Sequence, residues 1–154
     1  MHTTQLIIAD YITTHYADVH PVNSWGELSF FLNPGQQLKR GSYFATLKSK
    51  DGENDKASHL NREGVHRLNI GLPKPDYLSL FDYLPERPAK GQAVTGYDFT
   101  QINTLLPHPV YAWMGWVCIL NPDFAMFETC KPLLDKAYAK AAELTAKKLA
   151  QSGR

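Results

Sequence analysis

The run PHPVYAWMGWVCILN at residues 107–121 constrains the fold of this chain more than any other stretch. It contains two of the three tryptophans, and its segment 115–120 has no charged residue. A short uncharged apolar run is typical of a strand that is covered on both faces of a sheet. We therefore expect a turn that leads into a buried strand, with the long tail that follows folded back over the sheet.

Hydrophobic periodicity predicts helices at both ends of the chain and strands between them. At 154 residues the chain is expected to form one domain. The order of the segments predicts an α+β fold of two layers, in which an antiparallel sheet of about five strands packs against the N-terminal and C-terminal helices. The predicted elements are, in chain order, a helix over 3–16, strands over 18–22, 27–32, 42–48 and 66–72, a helix over 75–84, a short irregular helix over 97–105, a strand over 115–120 and a helix that begins near Thr129.

Side-chain spacing also predicts which faces are buried. In strand 66–72, Leu68 and Ile70 are expected to face the core, because alternate residues of a strand point to the same side. The same rule places Phe44 and Thr46 on one face of strand 42–48. It places Tyr43, Ala45 and Leu47 on the other face. The apolar face of the first helix is predicted to consist of Leu6, Ile7, Ala9, Tyr11 and Ile12.

Charge and cysteine content narrow the class of protein. The net charge of +1 gives no reason to expect binding to nucleic acid or to a membrane surface, so we expect no tight binding to duplex DNA. The first residues lack a charged region and a long apolar stretch, so we expect no signal peptide, and no run of about 20 apolar residues is present. Cys118 and Cys130 are expected to be reduced core thiols. The cytoplasm is therefore the expected location. Lys136, Lys140 and Lys147 on the tail are expected to form a solvated helix face.

Motifs for metal or cofactor binding are not apparent, and no metal or cofactor is predicted. Asp51, Glu53 and Asp55 resemble a calcium-binding loop only superficially, because Gly52 is misplaced and Arg62 stands where the closing glutamate belongs. A zinc site needs three or four converging ligands, and the spacing of the histidines indicates no such convergence. The histidines are His2, His15, His20, His59, His66 and His108.

Two groups of polar side chains lie on otherwise apolar segments and indicate a candidate ligand site. We expect it between strand 66–72, the loop 48–55 and the turn 108–113. Arg67 would bind an anionic or carbonyl group through its planar fork of donors, and His108 could exchange a proton near neutral pH. The alternative is a structural salt bridge from Arg67 to Asp51, Asp55 or Glu63. The candidate ligand-binding residues are Lys48, Arg67, Asn69, His108, Tyr111 and Trp113.

Four stretches resemble an uncharacterised bacterial family, the domain of unknown function 6194 family. They are FATLKSKD at 44–51, ASHLNREGVHRLNIG at 57–71, HPVYAWMGWVCILNP at 108–122 and KPLLDKAY at 131–138. This resemblance covers most of the chain and implies no known activity. More distantly, PVY followed by WV and a tail helix resembles the MmcQ/YjbR-like proteins. That resemblance implies a secretion-chaperone-like order of helix, three strands, helix, two strands and helix, and a DNA-binding label.

The sequence thus leaves three functions open. The first is a module that binds a small ligand or a protein partner. The second is an enzyme of unknown reaction with a site near Arg67 and His108, although no catalytic motif identifies it. The third is a DNA-binding protein of the MmcQ/YjbR type.

Overall fold

A six-stranded antiparallel sheet with helices from both ends of the chain makes up the fold, in a computed structural model that describes residues 3–152. The strand order is β1-β2-β3-β4-β6-β5, so the central strand β4 pairs with β3 and with β6. The elements are α1 (Thr3–His15), β1 (Val19–Ser24), β2 (Glu27–Leu32), β3 (Ser42–Lys48), β4 (Arg67–Gly71), α2 (Lys74–Phe81), β5 (Leu105–Pro107), β6 (Trp116–Leu120) and α3 (Phe124–Ser152), with single 3-10 turns at Pro34–Gln36 and Ala112–Met114. The predicted α+β class is confirmed.

The sheet has one strand more than the sequence predicts. Residues 97–105 were expected to form a short helix, but residues 97–104 are irregular and lead into β5, which begins at Leu105. Leu105 pairs with Ile119, and Pro107 pairs with Val117. This pairing depends on a partner strand a dozen residues away, so the local spacing of apolar residues does not reveal it.

The β1–β2 hairpin turns through two residues. Trp25 and Gly26 have φ of 54° and 76°, and Ser24 pairs with Glu27 on either side of them. Positive φ at both central residues is typical of a primed hairpin turn, which suits the twist of the flanking strands. The Trp25 side chain is 94% exposed and therefore contributes to the turn rather than to the core.

Both terminal helices pack on one face of the sheet, as predicted, although their details differ. In α1, Ile8 and Ile12 are buried one turn apart, whereas the expected core residues Leu6 and Ile7 are exposed. The helix α3 begins at Phe124, five residues before the predicted start, because the Asp123 carboxylate accepts a hydrogen bond from the Met126 amide and caps the first turn. Pro132 consequently lies inside the helix.

A β-bulge in β3 changes the faces of that strand. Phe30 pairs with Ala45 and Phe31 pairs with Tyr43, so Phe44 is the extra residue. Phe44 therefore joins Ala45 and Leu47 in the core under the helices, and Tyr43 lies on the face of Thr46. The prediction that Tyr43 shares a face with Ala45 is wrong, because it assumed uninterrupted alternation.

Residues from the segments 49–66 and 85–104 pack on the opposite face of the sheet, among them Ala57, Ala93 and Phe99. All five residues of β6 are buried, as expected for a strand that is covered on both faces. Cys118 packs there with Phe99 and Leu106, and burial raises the pKa of its thiol to about 12. Burial likewise raises the pKa of the Cys130 thiol, on α3, to about 12, and both cysteines are free. No helix within residues 3–152 has the length and apolar character needed to cross a membrane.

Candidate functional site

A pocket of about 330 Å³ opens on the face of the sheet opposite α3. It is lined by residues of β2, β3 and β4, by the loop after β3, by the turn before β6 and by the first residue of β6. Its lining combines charged, amide and hydroxyl groups with aromatic rings. The lining residues are Glu27, Ser29, Tyr43, Thr46, Lys48, Gly52, Asn54, Asp55, Asn69, His108, Tyr111 and Trp116.

A buried ion pair supports this pocket from below. Arg67 is fully buried, and its guanidinium donates to both carboxylate oxygens of Asp55. It also donates to Ser58 Oγ at 2.9 Å and to Asn69 Oδ1 at 2.8 Å. Burial opposes ionisation of Asp55, but the hydrogen bonds and the charge of Arg67 outweigh it and lower the pKa of Asp55.

The position of Arg67 selects between the two roles that the sequence left open. The structural salt bridge is present, and its partner is Asp55 among the three candidate acids. Nearly all guanidinium N–H groups have acceptors in the protein, so Arg67 has little capacity to bind a ligand directly. Its contacts instead hold Asp55 and Asn69 in the orientations in which they line the pocket.

A chain of hydrogen bonds runs from this ion pair across the sheet. The Asn69 amide donates from Nδ2 to Thr46 Oγ1 at 2.9 Å, and the Thr46 hydroxyl donates to Glu27 Oε2 at 2.8 Å. With Arg67 donating to Asn69 Oδ1, every bond in the chain points from the cation toward the carboxylate of Glu27. One oxygen of Glu27 is thereby engaged, and Oε1 is left toward Lys48.

Of the charged groups that line the pocket, the Lys48 ammonium has the fewest hydrogen bonds to the described protein. Its side chain is 9% exposed, and its ammonium lies 3.9 Å from Glu27 Oε1, beyond hydrogen-bond distance. Among residues 3–152 the ammonium makes no hydrogen bond, although it carries three donors. Gly52 lies directly over it, since a Cβ at that position would be 3.5 Å from Nζ.

His108 lines the pocket, and its Nε2 lies beside the buried ion pair. Its Nδ1 accepts from the backbone amides of Val110 and Tyr111, both at 3.0 Å, so the neutral ring carries its proton on Nε2. Nε2 lies 3.3 Å from Arg67 and 3.9 Å from Asp55. Burial, followed by the charge of Arg67, lowers the pKa of His108 well below its ordinary value. The expectation that it exchanges a proton near neutral pH therefore lacks support.

Aromatic rings line the mouth of the pocket. Tyr43 lies against Trp116 with ring centroids 5.5 Å apart, and Tyr111 lies against His108 at 5.1 Å. Both tyrosines are about half exposed, whereas Trp116 is buried. Trp113, one of the candidate ligand-binding residues predicted from the sequence, is outside the pocket, and the Arg87 guanidinium lies over its ring at 5.0 Å.

Four of the six predicted residues line one pocket: Lys48, Asn69, His108 and Tyr111. Arg67 lies beneath it, and Trp113 lies elsewhere. Three further lining residues belong to the predicted loop 48–55. The sequence reasoning missed the other five, namely Glu27, Ser29, Tyr43, Thr46 and Trp116. A signal for Thr46 existed, because it is a polar residue in an apolar strand and pairs with Asn69 on the neighbouring strand.

No group of three or more histidine, cysteine, aspartate or glutamate side chains converges on a metal position within residues 3–152. His2 lies outside the described residues. The acidic loop residue Asp55 pairs with Arg67, while the carboxylate of Asp51 accepts a hydrogen bond from the Leu60 amide at 2.8 Å. Both carboxylates thus have partners within the protein.

The model of the family of unknown function DUF6194 matches residues 1–150 of the chain. The chain belongs to this family. Membership of DUF6194 agrees with the resemblance carried by the four sequence stretches and brings no activity with it. No curated protein and no protein of solved structure shows significant similarity to this DUF6194 chain. These comparisons therefore do not show the more distant likeness to the MmcQ/YjbR-like proteins.

Proposed function

We propose that this protein is a binding module for a small polar molecule, which it holds in the pocket above the Arg67–Asp55 ion pair. The ligand would place an anionic or carbonyl oxygen between the Lys48 ammonium and the Nε2–H of His108. A planar part would lie against the rings of Tyr43 and Tyr111. Pockets of this kind combine apolar walls with a few fixed polar groups, which set the orientation of the ligand.

The state of Lys48 is the observation that carries this proposal. Removing an ammonium from water is costly unless hydrogen bonds replace its hydration. In the described protein the ammonium makes no hydrogen bond, lies 3.9 Å from the Glu27 carboxylate and lines the pocket. An oxygen of a bound ligand would supply the missing hydrogen bond.

The surroundings of His108 favour binding over acid–base catalysis. Both backbone amides that donate to Nδ1 occupy the lone pair that a general base would use. The lowered pKa of His108 keeps the ring neutral, so its role is to donate a hydrogen bond from Nε2. This favours a binding module over the enzyme alternative.

A thermal-shift screen against a library of small metabolites tests the proposal. Wild-type protein is compared with Lys48→Met and with the matched control Lys147→Met, whose lysine is exposed on α3 and does not line the pocket. We expect at least one hit whose affinity, measured by calorimetry, falls about tenfold in Lys48→Met, because one charge-assisted hydrogen bond is lost. Binding to Lys147→Met should equal that of the wild type.

Stability without ligand gives a second readout. The Lys48→Met variant should be at least as stable as the wild type, because it removes a poorly satisfied buried charge and leaves the partly exposed Glu27 in contact with solvent. Hits that bind Lys48→Met with unchanged affinity would contradict the proposal. Turnover of a hit, followed by mass spectrometry, would favour the enzyme alternative instead.

We also propose the cytoplasm as the location of the protein, since two buried free thiols, Cys118 and Cys130, suit a reducing compartment.

A further inference from the structure

A second concave surface lies between the sheet and α3, next to Tyr43 and Trp116. This α3 groove has a volume of about 320 Å³, close to the lower end of the range of about 300–1,000 Å³ that is typical of small-molecule pockets. It shares only Tyr43 and Trp116 with the pocket described above. Its lining residues are Phe31, Arg40, Gly41, Ser42, Tyr43, Phe44, Gly71, Met114, Trp116, Ala137, Lys140, Ala141, Leu144 and Lys148.

The charges of the groove are all of one sign. Arg40, Lys140 and Lys148 line it, and no aspartate or glutamate is among the described residues that do so. The net charge of the whole chain is only +1, so this concentration of three cations is local. A concave surface of one charge sign attracts ligands of the opposite sign.

Lys140 is held at the groove rather than in open solvent. Sequence analysis predicted it on a solvated helix face, but it is half-buried, and its ammonium donates to the backbone carbonyl of Leu72 at 3.2 Å. Burial, with a smaller effect of Lys74, lowers the pKa of Lys140, and no carboxylate offsets this. The ammonium has two further N–H donors beyond the one that Leu72 accepts.

Lys148 lies two turns further along α3 and is fixed in a similar way. Its ammonium donates to the Gly41 carbonyl at 3.2 Å and to Ser42 Oγ at 3.1 Å. Both lysines are therefore tethered through neutral oxygens, and their positive charges have no acidic partner in the groove. An anion placed between them would interact with both.

The rest of the groove is apolar and partly exposed. Met114 and Leu144 are 39% and 44% exposed, and Phe31, Phe44 and Trp116 form the deeper surface. The small side chains of Ala137 and Ala141 leave the space open along α3. The groove thus joins an apolar surface to a cationic rim.

We propose that the α3 groove binds a free medium-chain carboxylate. The carboxylate would lie between Lys140 and Lys148, and the alkyl chain would cover Met114 and Leu144. The match rests on charge complementarity and on the apolar floor, and it is independent of what occupies the first pocket. A neutral lipid would lack the charge, and a small inorganic anion would lack the chain.

Isothermal titration calorimetry with decanoate, below its micelle concentration and near neutral pH, tests this proposal. We expect saturable one-to-one binding to the wild type that weakens about tenfold in Lys140→Met and in Lys148→Met. The matched control Lys147→Met removes an exposed lysine of the same helix and should bind as the wild type does. Leu144→Glu, at a half-exposed position that tolerates a polar residue, should abolish binding by repelling the carboxylate.

Two further probes separate the contributions of charge and chain. Decan-1-ol, with the same chain and no charge, and acetate, with the charge and no chain, should each bind far more weakly than decanoate. Absence of saturable decanoate binding, equal affinity for decan-1-ol, or unchanged affinity in both lysine variants would overturn the proposal. Loss of decanoate binding in Lys48→Met but not in Lys140→Met would place the ligand in the first pocket and refute the groove assignment alone.

Discussion

Arg67 and Asp55 form a buried ion pair in which the guanidinium donates to both carboxylate oxygens. The side chain of Arg67 is 0% exposed and that of Asp55 is 16% exposed, so Arg67 lies beneath the pocket while Asp55 lines it. Two charges are tolerated here because Ser58 and Asn69 accept further guanidinium hydrogens. The pair links the loop after β3 to the central strand of the sheet.

Breaking this pair from one side should strongly destabilise the fold. Arg67→Met leaves Asp55 without its cation, and Asp55→Leu leaves a fully buried guanidinium unpaired. We expect each variant to lose about 3–5 kcal/mol in the free energy of unfolding, measured by urea denaturation. The double variant should be more stable than the sum of the two losses implies, because neither charge is then left alone. Additive losses would contradict the account.

His108 should make stability depend on pH. Its pKa in the folded state is lowered well below the ordinary value of 6.5, by burial and by Arg67, whereas the unfolded chain protonates near 6.5. The unfolded state then binds more protons below that pH, so stability must fall as the pH falls. Asp55, whose pKa is lowered below 3.8, acts in the same direction in more acidic solution.

The variant His108→Asn tests this dependence, because its carbonyl oxygen can still accept from the Val110 and Tyr111 amides. Unfolding free energies are compared between about pH 4.5 and 7.5 for both proteins. The wild type should lose more stability than the variant on acidification. If the unfolding free energy of the wild type fell no more than that of the variant over this pH range, His108 would not be the responsible group.

The indole ring of Trp116 leaves no space for a side chain at Gly71. Gly71 pairs with Trp116 across β4 and β6, and a Cβ at residue 71 would lie 2.7 Å from two atoms of that indole. Gly71→Ala should therefore cost about 1–3 kcal/mol of stability, as overpacking does. In a Trp116→Leu background the same substitution should cost less. An equal cost in both backgrounds, by thermal denaturation, would locate the strain elsewhere.

Tight binding to duplex DNA is not expected. Phosphate contacts supply most non-specific affinity, and the net charge of +1 provides few of them. Fluorescence anisotropy with a random duplex, at about 0.15 M salt, should show no sub-micromolar binding. Binding in that range would contradict this prediction and support the DNA-binding alternative.

The bounds of several strands, and the faces of β4, could be predicted because alternation is a property of neighbouring residues. Strands 27–32 and 42–48 have the bounds that alternation predicts, and the buried run at 115–120 forms β6 apart from its first residue. In β4, Leu68 and Ile70 reach the core while Asn69 faces the pocket, as period-two alternation requires.

The candidate site could be predicted only in outline, because three of its features depend on contacts between distant residues. The partner of Arg67 could be any of three acids until the loop folded Asp55 against it. The bulge at Phe44 moved Tyr43 onto the pocket face. The 3-10 turn at Ala112–Met114 left Trp113 beside Arg87 and outside the pocket.

By itself the sequence determined the fold class and the region of the site, since periodicity and polarity are properties of adjacent residues. Tertiary structure decided which of the polar groups find hydrogen-bond partners within the protein and which do not. Arg67 has its acceptors in Asp55, Ser58 and Asn69, whereas Lys48 has no hydrogen bond among the described residues. Both are buried cations on paired strands, and the packing of the loop between those strands, which brings Asp55 to Arg67, separates their roles.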